Sequence, residues 1–131
     1  MVLLTDTAEM QALKCLQALG IQEGIFDDGI YGSSFLGEDL AKPMPEAFEK
    51  VCADIGVEPS DCIIFEDSLK NLQTCVEILR MHGIFLSGQT LEMERREQKS
   101  INRVLEDNKD AVVVVDRLND LRSVTTTLFE K

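Results

Sequence analysis

The chain has 131 residues, a hydrophobic content of 44% and a formal net charge of -11, from 24 acidic and 13 basic side chains. This composition is that of a globular protein with room for a core, and no run approaches the ~18 apolar residues of a membrane span. The acidic balance argues against nucleic acid and against an anionic membrane surface as partners, because both are bound through Lys and Arg. The N-terminal run lacks the basic flank of a signal peptide, so we expect a cytoplasmic protein.

The four cysteines are widely spaced in apolar surroundings and form no CxxC pair, which favours reduced core residues over a disulfide framework: Cys15, Cys52, Cys62 and Cys75. The single histidine, His82, precedes Gly83 at a predicted helix end. A zinc site is therefore not expected.

The first third of the chain alternates strand and helix patterns. Val2–Leu4 predicts a strand that ends in the polar run Thr5-Asp6-Thr7. A helix capped by Gly20 is predicted from about 8 to 19, where apolar residues recur at helical spacing: Met10, Leu13, Cys15, Leu16 and Leu19. A weak short strand is predicted at 29–32, and a loop from 33 to 41.

Lys42 stands directly before Pro43, ahead of a helix that Pro45 can only begin and that Gly56 ends. A lysine held at a helix entrance can reach a bound anion. A solvated lysine is the alternative, and the local pattern leaves both open.

The apolar run at 62–65 predicts a strand buried on both faces, and it is followed by Glu66, Asp67 and Ser68. Ligands of parallel sheets bind beyond the carboxyl ends of the strands. Two carboxylates about 4 Å apart repel by about 4 kcal/mol at an effective dielectric of about 20, so an oxygen-preferring cation such as Mg2+ is expected there. The alternative is an ordinary helix start, because Asp and Ser are common N-cap residues.

The second half continues the alternation. A helix is predicted from Leu69 to Gly83, a strand at 84–87, a charged surface insertion with a solvated helix at about 89–110, and a strand at 111–115. A terminal helix follows, with its apolar positions at Leu118, Leu121, Val124 and Leu128. The pattern predicts one α/β domain over 1–131, with a parallel Rossmann-like sheet and helices on both faces.

Three of these segments together resemble successive motifs of the haloacid dehalogenase superfamily. The segments are the strand Val2-Leu3-Leu4-Thr5, the run Lys42-Pro43-Met44-Pro45-Glu46-Ala47-Phe48, and the strand Ile63-Ile64-Phe65-Glu66-Asp67-Ser68 with Asn71 beyond it. Each is weak alone, but the three occur in the family's order, spacing and structural context. The resemblance covers about Val2 to Leu121 and is nearest to the pyrimidine 5′-nucleotidase branch.

The resemblance implies roles for these residues. Thr5 and Lys42 would be the catalytic and phosphate-binding residues, with Asp6 beside the substrate phosphate. The residues at the second strand end would be the metal ligands Glu66 and Asp67, with Ser68 and Asn71 orienting the acidic loop. Phosphoryl transfer depends mainly on positioning and charge neutralisation, so these roles are chemically consistent.

Two departures from the family pattern are visible. The opening motif, a strand ending in Asp-x-Asp that supplies the nucleophile and general acid, is absent from the sequence. A circularly permuted copy at 112–119 is disfavoured, because Leu118 occupies the place of the second aspartate. The second departure is Asp6, where this branch more often has Asn, and the extra negative charge would weaken phosphate binding.

We therefore expect a partial haloacid dehalogenase-like core that lacks the first strand and the cap. The complete enzyme would hydrolyse a small phosphorylated metabolite, such as a nucleotide, through a phosphoaspartate with Mg2+. The chain alone is expected to be inactive and to bind Mg2+ weakly or not at all. A non-catalytic binding or regulatory domain, and a gene fragment without an independent role, are the alternatives.

Overall fold

The computed structural model describes residues 1–87 and 95–116, without the side chains of 95–97. The chain divides into two compact units, Met1–Val57 and Glu58–Lys131. The predicted terminal helix around Leu118 lies outside the described residues. The prediction of one domain over 1–131 concerns how the two units combine, and it stays a prediction.

The first unit contains two parallel strands and three α-helices. In chain order they are β1 (Val2–Leu4), α1 (Glu9–Ala18), a 3-10 turn (Glu23–Ile25), β2 (Gly29–Tyr31), α2 (Ser33–Leu36) and α3 (Pro45–Ile55). The short α2 lies within the predicted loop at 33–41, so that loop prediction is partly wrong. Helix α3 begins at Pro45 and ends at Gly56, whose φ of 76° is left-handed, as the proline and glycine predict.

A small core lies between the strands and helices of this unit. Its buried residues are Leu36, Ala47 and Val51, and half-buried side chains from both strands pack against them. The predicted apolar stripe of α1 is wrong in detail. Its buried residues are Ala12 and Leu16, whereas Met10 is 65% and Leu19 72% exposed. Cys15 is also exposed, so the prediction that it is a core residue is wrong.

The described part of the second unit contains three parallel strands in the order β3-β4-β5. Its elements are a 3-10 turn (Pro59–Asp61), β3 (Ile63–Glu66), α4 (Leu69–Gln73) continued by a π-helical turn (Thr74–Ile78), β4 (His82–Leu86), α5 (Arg95–Asp107) and β5 (Val112–Val115). The predicted α/β class with parallel strands is therefore confirmed. The sequence predicts a single sheet, whereas the described strands form two. One sheet pairs β1 with β2, and the other pairs β3 with β4 and β4 with β5.

The helix before β4 ends earlier than predicted. The π turn stops at Ile78, and Arg80 has a positive φ of 61°. His82 is consequently the first residue of β4, and its prediction as a helix C-terminal residue is wrong. Gly83 lies within β4 instead of ending the helix, and a Cβ there would stand 2.6 Å from Leu72 Cδ1. The helix can approach β4 closely because this side chain is absent.

One face of the three-stranded sheet packs against the helices of the second unit. Ile64, Phe85 and Val112 share that face and pack against buried residues of the helices, namely Leu72, Val76 and Ile101. Side chains alternate between the faces of a strand. The other face of β3 presents Ile63, 43% exposed, and Phe65, 49% exposed. The prediction that β3 is buried on both faces is therefore wrong.

A single carboxylate joins the start of α1 to the start of α2. Glu9 Oε1 accepts the N–H groups of Gly32 (2.7 Å) and Phe35 (3.0 Å), and Oε2 accepts that of Ser34 (3.3 Å). Burial would raise the pKa of Glu9, but hydrogen bonds from Ser34 and from backbone N–H groups outweigh it and lower the pKa from 4.5 to about 2. The charged form of Glu9 therefore caps α2.

The depressed pKa of Glu9 predicts an acid-sensitive contribution to stability. Stability from Glu9 should be complete above pH 4.5 and lost as the pH falls towards about 2, because the unfolded chain then binds the proton first. In urea unfolding followed by circular dichroism, Glu9→Gln should lower the midpoint above pH 4.5, and the difference from the unmodified chain should shrink near pH 2. Glu49→Gln removes a charge from the exposed side of α3 and should have little effect. An equal deficit at both pH values would contradict the prediction.

The turn before α2 should tolerate no side chain at Gly32. A Cβ there would lie 2.3 Å from the Thr7 carbonyl oxygen and 3.0 Å from the Glu9 nitrogen, and both are backbone atoms. Gly32→Ala should therefore destabilise the chain by roughly 3 kcal/mol, measured by urea unfolding. Gly24→Ala is the matched control, because nothing lies within 4 Å of its Cβ. Equal midpoints for the two variants would show that the turn can move aside.

Candidate functional site

The predicted site residues form two groups, one in each unit. The first group is Thr5, Asp6 and Lys42, and the second is Glu66, Asp67, Ser68 and Asn71. Each group lies at the carboxyl end of a parallel strand, β1 or β3, where ligands of such sheets bind. The family resemblance also predicts that the two groups converge on one face of the sheet. This concerns the arrangement of the two units, and it stays a prediction.

The hydroxyl of Thr5 is held at the end of β1. The Thr5 N–H donates to the Tyr31 carbonyl oxygen of β2 (2.9 Å), which extends the strand pairing by one residue. Thr5 Oγ1 accepts the N–H of Thr7 (3.2 Å) and lies 2.9 Å from Thr7 Oγ1. Sequence reasoning noted Thr7 only as a second hydroxyl. The two-residue spacing of the threonines is typical of such a local turn and was the available signal.

The ammonium group of Lys42 lies at the same strand end. Lys42 Nζ donates to the carbonyl oxygen of Leu4, the last residue of β1, at 3.3 Å. The side chain is half-buried, and the structure leaves open both an anion-binding and a solvated lysine. An ammonium group has three N–H donors, and this contact uses one of them. Lys42 can therefore donate to an anion beside Thr5 while it keeps its hold on β1.

Asp6 connects the loop after β1 to the backbone of Lys42. Asp6 Oδ1 accepts the N–H of Lys42 at 3.0 Å, and the Asp6 side chain is otherwise exposed. Sequence reasoning placed Asp6 beside a phosphate but gave it no structural contact. A carboxamide oxygen could accept the same N–H, so Asp and Asn can both make this connection.

The second group is centred on Glu66, the last residue of β3. Glu66 Oε1 accepts the N–H groups of Asp67 (3.1 Å) and Ser68 (3.0 Å). Glu66 Oε2 accepts the side-chain amide of Asn71 at 3.1 Å. Both oxygens of this half-buried carboxylate are therefore engaged by N–H donors. Sequence reasoning gave no indication of this, because the donors become available only when the loop turns into α4.

Ser68 is the N-cap of α4. Its side chain accepts the N–H of Asn71 at 3.5 Å, and its backbone is extended, with φ of -88° and ψ of 120°. The helix-start interpretation is therefore confirmed for Ser68. Ser68 and Asn71 both contact the acidic loop, and a supporting role for them stays a prediction.

The donor set in the described ranges does not form a Mg2+ cage. Among residues 1–87 and 95–116, no group of three or more His, Cys, Asp or Glu side chains could hold a metal ion. Mg2+ demands nearly octahedral oxygen coordination. At the end of β3, Asp67 offers an exposed carboxylate, whereas both oxygens of Glu66 accept N–H groups.

A cleft of about 350 Å³ lies at the amino ends of β3, β4 and β5. Its lining includes Asp61, Cys62, His82 and Lys109. This is the opposite end of the strands from Glu66 and Asp67, and the cleft contains none of the predicted site residues.

No helix within the described ranges is both long enough and apolar enough to cross a membrane.

A family model described as haloacid dehalogenase-like hydrolase matches residues 1–78 of the chain. The match covers more than half of the 131 residues and extends from β1 through the π-helical turn. It includes both groups of candidate site residues. The superfamily resemblance carried by the three sequence motifs is confirmed, and the chain belongs to the haloacid dehalogenase-like hydrolase family.

Proposed function

We propose that this chain supplies the phosphate-binding part of a phosphomonoesterase site, in which Thr5 and Lys42 hold the phosphoryl group. The observation that carries the proposal is the contact of Lys42 Nζ with the Leu4 carbonyl oxygen, at the strand end that Thr5 follows. A hydroxyl and an ammonium group at one strand end provide a donor and a positive charge for phosphoryl oxygens. Catalysis of phosphoryl transfer depends largely on such positioning and neutralisation.

The substrate class that we propose is a small phosphorylated metabolite, and in particular a nucleoside monophosphate. The resemblance of the three motifs to the pyrimidine 5′-nucleotidase branch supports this choice. The net charge of -11 supports a small substrate over a nucleic acid, because a polyanion would be repelled along its length. We propose a cytoplasmic location, which the four free cysteines of the chain support.

The phosphate-binding residues can perform only part of the reaction. Thr5 and Lys42 can stabilise charge on the phosphoryl group, but neither is a carboxylate that could attack phosphorus. The sequence Asp-x-Asp occurs nowhere in the 131 residues. We therefore propose that the chain binds phosphate without turning over a phosphate ester. A non-catalytic phosphate-binding domain is the second candidate function, and the contacts of Thr5, Asp6 and Lys42 favour it equally.

The contact between Asp6 and Lys42 predicts a specific pattern of phosphate affinity. Asp6→Asn should retain the bond to the Lys42 N–H and remove a negative charge, so inorganic phosphate should bind about fivefold more tightly. Asp6→Ala removes the charge and the bond together, and should bind more weakly than Asp6→Asn. Lys42→Gln should bind least. Phosphorus NMR titration measures all three variants, and equal affinities for Asp6→Ala and Asp6→Asn would refute the role of the bond.

The chain should show no phosphatase activity above background with p-nitrophenyl phosphate or nucleoside monophosphates. Charge-stabilising groups alone leave about 10³-fold catalysis over water, whereas enzymes supply up to ~10²¹-fold for phosphate monoesters. Grafting an upstream strand ending in Asp-x-Asp, together with a cap, should produce turnover that Lys42→Gln reduces. Turnover by the unmodified chain would contradict the proposal, and its loss in Asp116→Asn would support the permuted arrangement instead.

A further inference from the structure

The two threonines that follow β1 are joined by their hydroxyl groups. Thr5 Oγ1 lies 2.9 Å from Thr7 Oγ1 and accepts the Thr7 N–H at 3.2 Å. A hydroxyl group has two lone pairs and one proton. If the Thr7 hydroxyl donates across the 2.9 Å contact, Thr7 fills both lone pairs of Thr5 Oγ1. The Thr5 proton is then free to point away from the pair and to donate to a ligand.

The position of Lys42 favours this direction of the contact. Lys42 Nζ donates to the carbonyl oxygen of Leu4, which belongs to the peptide that links Leu4 to Thr5. An anion attracted by this ammonium group would lie beside Thr5 and would draw the Thr5 proton towards itself. In the reverse direction, the Thr5 proton would point at Thr7 and would be lost to the anion. Hydrogen bonds in a chain polarise one another, so donation from Thr7 also makes Thr5 a stronger donor.

The backbone of Thr7 is held on both sides. Its N–H donates to Thr5 Oγ1, and its carbonyl oxygen accepts the N–H of Ser33, the first residue of α2, at 2.9 Å. The same carbonyl oxygen faces Gly32, where a Cβ would lie only 2.3 Å away. Glu9 fixes this turn as well, because it accepts the Gly32 N–H at 2.7 Å. Thr7 is therefore fixed against the start of α2, although its own side chain is exposed.

We propose that Thr7 is a positioning residue of the phosphate-binding group. Its hydroxyl and its N–H fill both acceptor sites of Thr5 Oγ1 and thereby direct the Thr5 proton towards a phosphoryl oxygen. The inference rests on the proposed function and deepens it, because it adds to that site a residue with no assigned role. Thr7 acts through Thr5 and does not contact the ligand. A donor oriented in advance binds developing or bound negative charge without a cost of reorientation.

A double-mutant cycle on the two threonines tests this role, with inorganic phosphate as the ligand and phosphorus NMR titration as the measurement. Thr5→Val removes the donor and should weaken binding about tenfold, as expected for one hydrogen bond to a charged group. Thr7→Val removes only the orienting hydroxyl and should weaken binding about threefold. Thr5→Val/Thr7→Val should bind no more weakly than Thr5→Val, because no Thr5 hydroxyl is left to orient.

Rescue by serine separates orientation of Thr5 from general damage to the loop. Thr7→Ser retains a hydroxyl group at the same position and should restore most of the affinity that Thr7→Val loses. The urea unfolding midpoints of Thr7→Val and Thr7→Ser should differ little, because the side chain is exposed and both variants keep the backbone hydrogen bonds of residue 7.

Equal phosphate affinities for Thr7→Val and Thr7→Ser would overturn the inference, because the hydroxyl would then contribute nothing. A further loss on adding Thr7→Val to Thr5→Val would also overturn it, since Thr7 would then contact phosphate or act through the fold. Both results leave intact the loss expected from Lys42→Gln, on which the proposed function depends. An unmodified chain that binds no phosphate would overturn the proposed function and the inference together, so the two failures are distinguishable.

Discussion

Carboxylate groups that accept backbone N–H groups fix the loops on which both candidate groups depend. Asp6 holds the backbone of Lys42, Glu66 holds the turn into α4, and Glu9 holds the turn into α2. Such charge-assisted bonds are stronger than neutral ones and satisfy donors that a helix start leaves without partners. Part of the acidity of this chain therefore serves local structure. An acidic residue near a strand end is consequently not by itself evidence of a ligand site.

The elements that sequence predicted best are those with local causes. Pro45 and Gly56 set the ends of α3, and β-branched residues set β5. The predictions that were wrong concern elements whose structure is set by tertiary contacts. Helix α2 is only four residues long and is capped by Glu9, which lies 24 residues before its first residue, so no local pattern could reveal it. The exposure of Met10 likewise depends on which face of α1 packs against the rest of the unit.

The candidate site was predictable as a set of residue types and strand ends, but not as a set of contacts. Thr5, Lys42 and Asp67 could be named because each follows or precedes a recognisable element. The direction of Glu66 could not, since it depends on an amide at Asn71 and on backbone donors that exist only after the turn forms. Membership of the hydrolase family rests on the match over residues 1–78. The contacts show, in addition, which side chains of the candidate site already have hydrogen-bond partners within the chain.

The apolar face of β3 has a consequence for the behaviour of the chain in solution. Ile63 and Phe65 lie on a strand whose one pairing in the described ranges is with β4, and exposed apolar strands promote association between molecules. At neutral pH the charge of -11 opposes such contact through mutual repulsion. This repulsion disappears near the sequence pI of about 4.4. Colloidal stability of the chain thus depends on its carboxylates remaining ionised, and mild acid should bring turbidity before it brings unfolding.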